Sequence, residues 1–250
     1  MHIATFIPLL AGLSSLAAAA PFAGQILGED DIVLLGENNR REVMKLKDYE
    51  LLKRSVPVAP GPLSWTNASF PTLDRRTTAN HTKPISLERR GCEESQEVQL
   101  AGKSNFQNWD VPMSSVLQNS ADRSFVAVQD GFSLANSIAV SVGTKATFEK
   151  ALSASLGVEF GTTWTTTQQT EYRFFVPAGK NGLIVSNPDT TRYTGTILSG
   201  CTDNPTKVDF TADAYTSASY GALSWVKGTI RLCSSDKYPV PFCVGQGEHS

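Results

Sequence analysis

The chain changes character at one point, Arg89-Arg90-Gly91-Cys92. Before it lie both N-glycosylation sequons, Asn67-Ala-Ser69 and Asn80-His-Thr82, and a stretch carrying Pro57, Pro60, Pro62, Pro71 and Pro84 without hydrophobic periodicity. After it come all the cysteines and one strand-like segment after another. Proline fixes φ and donates no backbone hydrogen bond, so the earlier stretch reads as extended linker. A packed core is thereby expected only after Arg90. The break predicts a signal peptide over 1–19, then a largely disordered propeptide or linker over 20–90 with a short helix near 39–53. A mature β domain over 91–250 follows.

The signal peptide rests on the apolar run Ile3–Ala20, which ends in the small residues Ala17-Ala18-Ala19-Ala20. Small side chains suit a signal peptidase, and Pro21 moves the expected cut to after Ala19. The n-region has only the amino terminus and His2 in place of Lys or Arg. The expected location is secreted, extracellular. Within 39–53, Val43, Leu46 and Leu51 recur at roughly helical spacing. Basic pairs stand at Arg40-Arg41, Lys53-Arg54, Arg75-Arg76 and Arg89-Arg90. A kexin-type processing protease, with acidic pockets for two adjacent cations, is the expected partner at such pairs. The compositional break marks Arg89-Arg90 as the main cut and Lys53-Arg54 as an earlier one.

Charge narrows the partners. Lys plus Arg total 22 against 24 Asp plus Glu, a net of −2. From Gly91 onward 11 basic residues face 15 acidic ones, which gives −4. No basic face is on offer for phosphate, so nucleic acid is not an expected partner. No apolar run beyond the N-terminus approaches the roughly 20 residues of a membrane-spanning helix. Cys92, Cys201, Cys233 and Cys243 are an even set in a chain expected to be secreted, which predicts two disulfides with the pairing open. None forms a Cys-x-x-Cys pair of the metal-binding kind.

The mature region alternates. Phe125–Gln129 runs into Asp130-Gly131, a hairpin signal because both residues tolerate φ > 0. Ile138, Val140 and Val142 alternate with small polar residues, and so do Leu152, Leu156, Val158 and Phe160 after the Gly143-Thr144-Lys145 turn. The Thr-rich run 162–170 leads into Tyr172–Phe175, and β-branched and aromatic residues favour pleated structure. Pro177-Ala178-Gly179 and Asn187-Pro188-Asp189 read as breaks. Further strands fit Arg192–Leu198, Lys207–Ala212 and Leu223–Cys233, and only 112–120 hints at helix. The expectation is an all-β, disulfide-stabilised, sandwich-like domain with long Ser/Thr-rich strands.

Chemistry is sparse. Of His2, His81 and His249, two fall in segments expected to be removed and the third is one residue from the C-terminus. A mature core without histidine disfavours Ser-His-Asp and Cys-His catalysis and lacks the commonest zinc ligand. No phosphate loop or dinucleotide fingerprint occurs, so no cofactor, metal or catalytic residue is assigned. The residual enzymatic alternative is a glycosidase built from Glu149, Glu159 and Glu171 near Trp164.

The order of signal, pro-segment, Arg89-Arg90-Gly91-Cys92 and Ser/Thr-rich β domain resembles small secreted effector-like proteins of plant-associated fungi. The likeness runs through SFVAVQDGFSLANSIAVSVG, TEYRFFVPAGKNGLIV, Gly200-Cys201 and Leu232-Cys233, and so covers most of 91–243. It implies a non-enzymatic virulence factor or toxin that binds a protein, glycan or lipid on a host or competitor surface. The chain also resembles aerolysin-type pore-forming toxins, which use long Ser/Thr-rich strands, an inserting amphipathic hairpin and propeptide removal. That likeness implies a homo-oligomer and makes Asn136–Gly143 with Ala151–Phe160, joined through 144–150, the candidate membrane hairpin. Its apolar face would be Ile138, Val140, Val142, Leu152, Leu156, Val158 and Phe160, near the 9–11 residues per arm that a transmembrane strand needs. A third expectation is a carbohydrate-binding module with Trp109, Trp164, Tyr193 and Trp225 as stacking aromatics.

Overall fold

A computed structural model describes residues 26–36, 38, 40–53, 56–59, 95–118, 124–167, 169–201, 203–220 and 223–250. Arg54, Arg89, Arg90, Cys92 and the glycosylation candidates Asn67 and Asn80 lie outside the described residues. The first part holds β1 (Ile26–Leu27), β2 (Asp31–Leu35), β3 (Arg41–Lys45) and α1 (Leu46–Leu52). There follow β4 (Ser95–Gln107), β5 (Val111–Pro112), β6 (Ser124–Val128), β7 (Ser133–Ala135), β8 (Ser137–Val140) and α2 (Lys145–Leu156). Then come β9 (Thr163–Thr165), β10 (Gln169–Val176), β11 (Asn181–Gly200), β12 (Thr206–Tyr215), β13 (Ser217–Tyr220) and β14 (Leu223–Val226). The chain closes with β15 (Gly228–Ser235), β16 (Val240–Pro241) and β17 (Glu248–His249). The protein is all-β, as its alternation predicts.

β11 organises the molecule. Its first half, Asn181–Pro188, pairs with β15, and its second half pairs with β12 from Thr190 and with β4 from Asp189. The eight-stranded sheet follows the order β3-β2-β15-β11-β12-β8, with β4 and β5 also on β11. Asn187-Pro188-Asp189 is therefore no break. Pro188 sits where β15 hands over to β12, so its missing donor interrupts no continuous ladder. Its carbonyl accepts from the Asn108 N–H at 2.8 Å, while the Asp189 N–H donates to Lys227 at 2.9 Å.

Two main cores lie along this strand. In one, Val126, Val128, Phe174 and Val176 of the β1-β10-β6 sheet pack against Ile184, Ile230 and Leu232, with Trp225 fully buried among them. In the other, Phe148 and Leu152 of α2 cover Ile197, Val208, Phe210 and Ala212. The opposite face of β11 near its start carries Leu183 and Val185, which meet Cys233 and Val240. Beside them Cys233 is bonded to Cys243. Cys201 is likewise disulfide-bonded.

Several sequence expectations need correction. The second arm of the candidate membrane hairpin is mostly the helix α2, with Leu152 and Leu156 on it, while Val158 and Phe160 follow in the loop. A spacing of four satisfies both the strand and the helix period, and Phe148, Leu152 and Leu156 make a helical stripe. Lys, Glu, Ala and Leu favour helix, and Gly157 at φ 65° supplies the left-handed end, its N–H donating to Ser153 at 3.0 Å. Only Ile138 and Val140 lie on a strand, β8; Val142 lies in the turn and is exposed. Asp130-Gly131 does turn the chain, yet β6 pairs with β10 and β7 with β9, so no local hairpin forms. Residues 112–120 form no helix among the described residues; Leu117 bridges Gly182 instead.

The larger departure is upstream of Arg90. The helix expected over 39–53 is confined to 46–52, because Arg41–Lys45 pairs with β2 as a strand. β2 in turn pairs with β15. Leu27, Val33 and Leu35 join the first core, and Ile32 is fully buried. The continuous apolar run Ile32–Leu35 is the signature of a strand covered on both faces. These described residues are part of the folded domain rather than disordered linker.

Candidate functional site

Two adjoining cavities open beside the second half of β11. The smaller, about 280 Å³, lies between the loop after α2 and strands β11, β12 and β13, and Trp164, Tyr193, Tyr215, Glu159 and Asn136 line it. The larger, about 570 Å³, is bounded by Lys103, Asn105, Phe106, Asp189 and Lys227, with Val56 and Pro57 at its margin. Thr191 and Thr216 line both, so the two cavities adjoin and are treated together as a polar groove.

Hydrogen bonds fix the walls of the smaller cavity. Asn136 donates to the Glu159 carbonyl at 2.8 Å and accepts from the Tyr215 N–H at 2.8 Å, which ties the loop to β12. The Trp164 indole donates to Ser217 at 3.1 Å and its ring meets Tyr215 edge to face, centroids 6.2 Å apart. Burial pushes the Tyr215 phenol up to about 12, with Asp213 adding to the shift, so it is a neutral donor at physiological pH. Asn108 donates to its hydroxyl at 3.0 Å. Tyr193 is half-buried, with the Lys103 ammonium 5.4 Å above its ring.

Charge lines the larger cavity. Asp189 is exposed at the cavity, and partial desolvation there raises its carboxyl above its ordinary range against the pull of Lys227 and Lys53. Arg192 reaches Asp213 with two 2.7 Å hydrogen bonds and stacks on Phe106, 4.9 Å from the ring centroid, which stiffens this part of the sheet. The groove thus presents amide, hydroxyl, carboxylate and ammonium groups beside aromatic rings. Such a set can hydrogen-bond the hydroxyl groups of a polar ligand.

Of the four candidate aromatics, the structure brings Trp164 and Tyr193 together in the groove. Trp164 offers only an edge, being 7% exposed. Trp225 is fully buried and donates to Ser186 at 3.0 Å, so it is core. Trp109 donates to the Ala59 carbonyl at 2.9 Å and packs beneath Gly245, where an added Cβ would lie 2.3 Å from the ring. Of the candidate glutamates, Glu159 lines the groove and Glu149 does not, while the Glu171 side chain lies outside the described residues. Sequence reading missed Tyr215, Asn136, Lys103 and Lys227, which become neighbours only through long-range pairing. Asp189 was hidden inside a supposed break.

The expectation of a core without histidine is also overturned. The β16–β17 hairpin folds back and buries His249 to 6% exposure against Phe242, with Nε2 3.4 Å from Asp110 Oδ2. Asp110 also accepts from the Cys243 and Val244 N–H groups at 2.7 and 3.0 Å and from Asn187 at 2.8 Å. Asp110, Cys233 and Cys243 bring three ligand-type atoms within 4.8 Å, but both sulfurs are spent in the disulfide. This cluster is a clip holding the C-terminus. Comparison of the chain with protein-family models, with characterised proteins and with solved structures gives no match.

Proposed function

We propose that this chain is a secreted, non-enzymatic effector or toxin-like protein that matures by cleavage after Arg90 and binds a surface component of a host or competitor cell. A glycan is the ligand the groove fits best. The observation that carries the reading is the polar groove in which Trp164, Tyr193 and Tyr215 stand beside amide, hydroxyl and carboxylate groups. Trp164 and Tyr215 pack on each other, so Tyr193 is the ring offered to a sugar while the polar groups meet hydroxyls. Glycan-array binding by the secreted protein tests it, with Tyr193→Ala lowering affinity about tenfold for the loss of one ring contact. Array-wide silence from folded, oxidised protein would sink the glycan reading.

Pore formation is a second reading, and one observation favours it. β8 ends the strand order of the long sheet, and the α2 segment that follows covers the same region of the sheet. Insertion of 136–160 would require α2 to unwind into a strand, because no hairpin is preformed. Dye release from lipid vesicles by cleaved protein, with the uncleaved precursor beside it, decides this reading.

A further inference from the structure

The segment upstream of Arg89-Arg90 makes contacts that a discarded propeptide would have to break. β2 pairs along Ile32–Leu35 with Gly228–Arg231 of β15, and β1 lies parallel to Arg173 and Phe174 of β10. Leu27, Val33 and Leu35 are 3%, 0% and 2% exposed, inside the same core as Phe174 and Ile230. Polar contacts flank the ladder. Glu29 accepts from Lys180 at 2.8 Å and from Ser234, Arg41 donates to Tyr172 at 3.2 Å, and Gln107 donates to Tyr49 at 2.8 Å. Farther along, Ala59 and Pro57 exchange backbone bonds with Gln107, both at 2.9 Å. A cut between residues 60 and 94 severs none of these contacts.

We propose that residues 26–59 are an internal strand donor that stays seated after cleavage, so that the mature protein is a two-chain complex of this segment with the domain from Gly91 onward. The proposal rests on the maturation step of the function proposed above. Without the donor, β15 would present an unpaired edge and the first core an uncovered apolar face, which is the situation that strand addition relieves. The donor also brings Val56 and Pro57 to the margin of the larger cavity, so after cleavage the ligand site stays complete only while the donor stays seated.

The test uses the full secreted chain. In one preparation a kexin-type protease cuts a chain carrying Arg40→Gln and Lys53→Gln, so that cleavage falls after Arg76 or Arg90 and outside the donor. In a second, a recognition site for a sequence-specific protease is placed within residues 70–80. After cutting, size-exclusion chromatography and native mass spectrometry at neutral pH should find both fragments in one 1:1 species that separates only in denaturant. Val33→Asp, which puts a carboxylate at a fully buried position, should weaken the fragment association about 10- to 100-fold. Separation of the wild-type fragments without denaturant overturns the proposal, whatever the state of the larger one. Co-elution after the engineered cut, in a chain that the kexin-type protease leaves whole, supports the strand donor and sinks the maturation step.

Discussion

Asp110 has no exposed side-chain surface and binds two backbone N–H groups, an amide and the His249 ring. Its replacement by Ala leaves those groups buried without partners, so Asp110→Ala should cost about 3–5 kcal/mol, read as a lower urea midpoint at unchanged slope. Glu29 gives a pH signature. Burial acts to raise its pKa, but hydrogen bonds from Lys180 and Ser234 and the charge of Lys180 outweigh it, and the carboxyl titrates below its ordinary 4.5. A carboxyl lowered in the folded state adds stability above its unfolded pKa and loses it as pH falls through the folded value. Acid should therefore destabilise the chain from about pH 4.5 downward, and Glu29→Gln should flatten that part of the pH profile. Neither residue was legible in the sequence. Asp110 gains its role from a hairpin more than a hundred residues away, and Glu29 from a strand in the far half of the chain.

Among the elements, the strands whose residues alternate against one buried face were legible. The expected strands over Phe125–Val128, Arg192–Leu198 and Lys207–Ala212 fall on β6, β11 and β12, and Leu223–Cys233 divides into β14 and β15 around Lys227. α2 was not legible, because Leu152 and Leu156 fit either period and helix propensity had to decide. β2 was missed because its run is apolar throughout and lies upstream of the basic pairs. Leu152 is fully buried on the inner face of α2, and Leu152→Ala should cost about 2–5 kcal/mol, with a loss of helical signal in circular dichroism beyond that of the wild type at equal denaturant. The Cys233–Cys243 bond closes a short loop of 10 residues and should contribute about 3 kcal/mol, measured by unfolding of the double Ser variant.

For the whole molecule, all-β architecture could be read from the sequence, while the partition into disposable leader and working domain could not. Composition separates 20–90 from the rest, yet packing joins residues 26–59 to the core on the far side of the break. Proline and sequon density mark a compositional break and are silent about what lies before it. The groove was legible only as Trp164, Tyr193 and Glu159, since its other polar members come from β4, β11, β12 and the short links before β8 and β15.

β11 belongs to both main cores, and at about 3.3 Å per residue its 20 residues extend over roughly 66 Å. Side chains alternate between faces, so the parity of position along this strand assigns residues to both cores at once. One residue inserted near Pro188 would leave Ile184 where it is and turn Ile197 away from α2. A second inserted residue would restore the parity and shift the register instead. Substitutions along β11 can be absorbed locally, whereas odd-numbered changes in its length reassign every side chain beyond them.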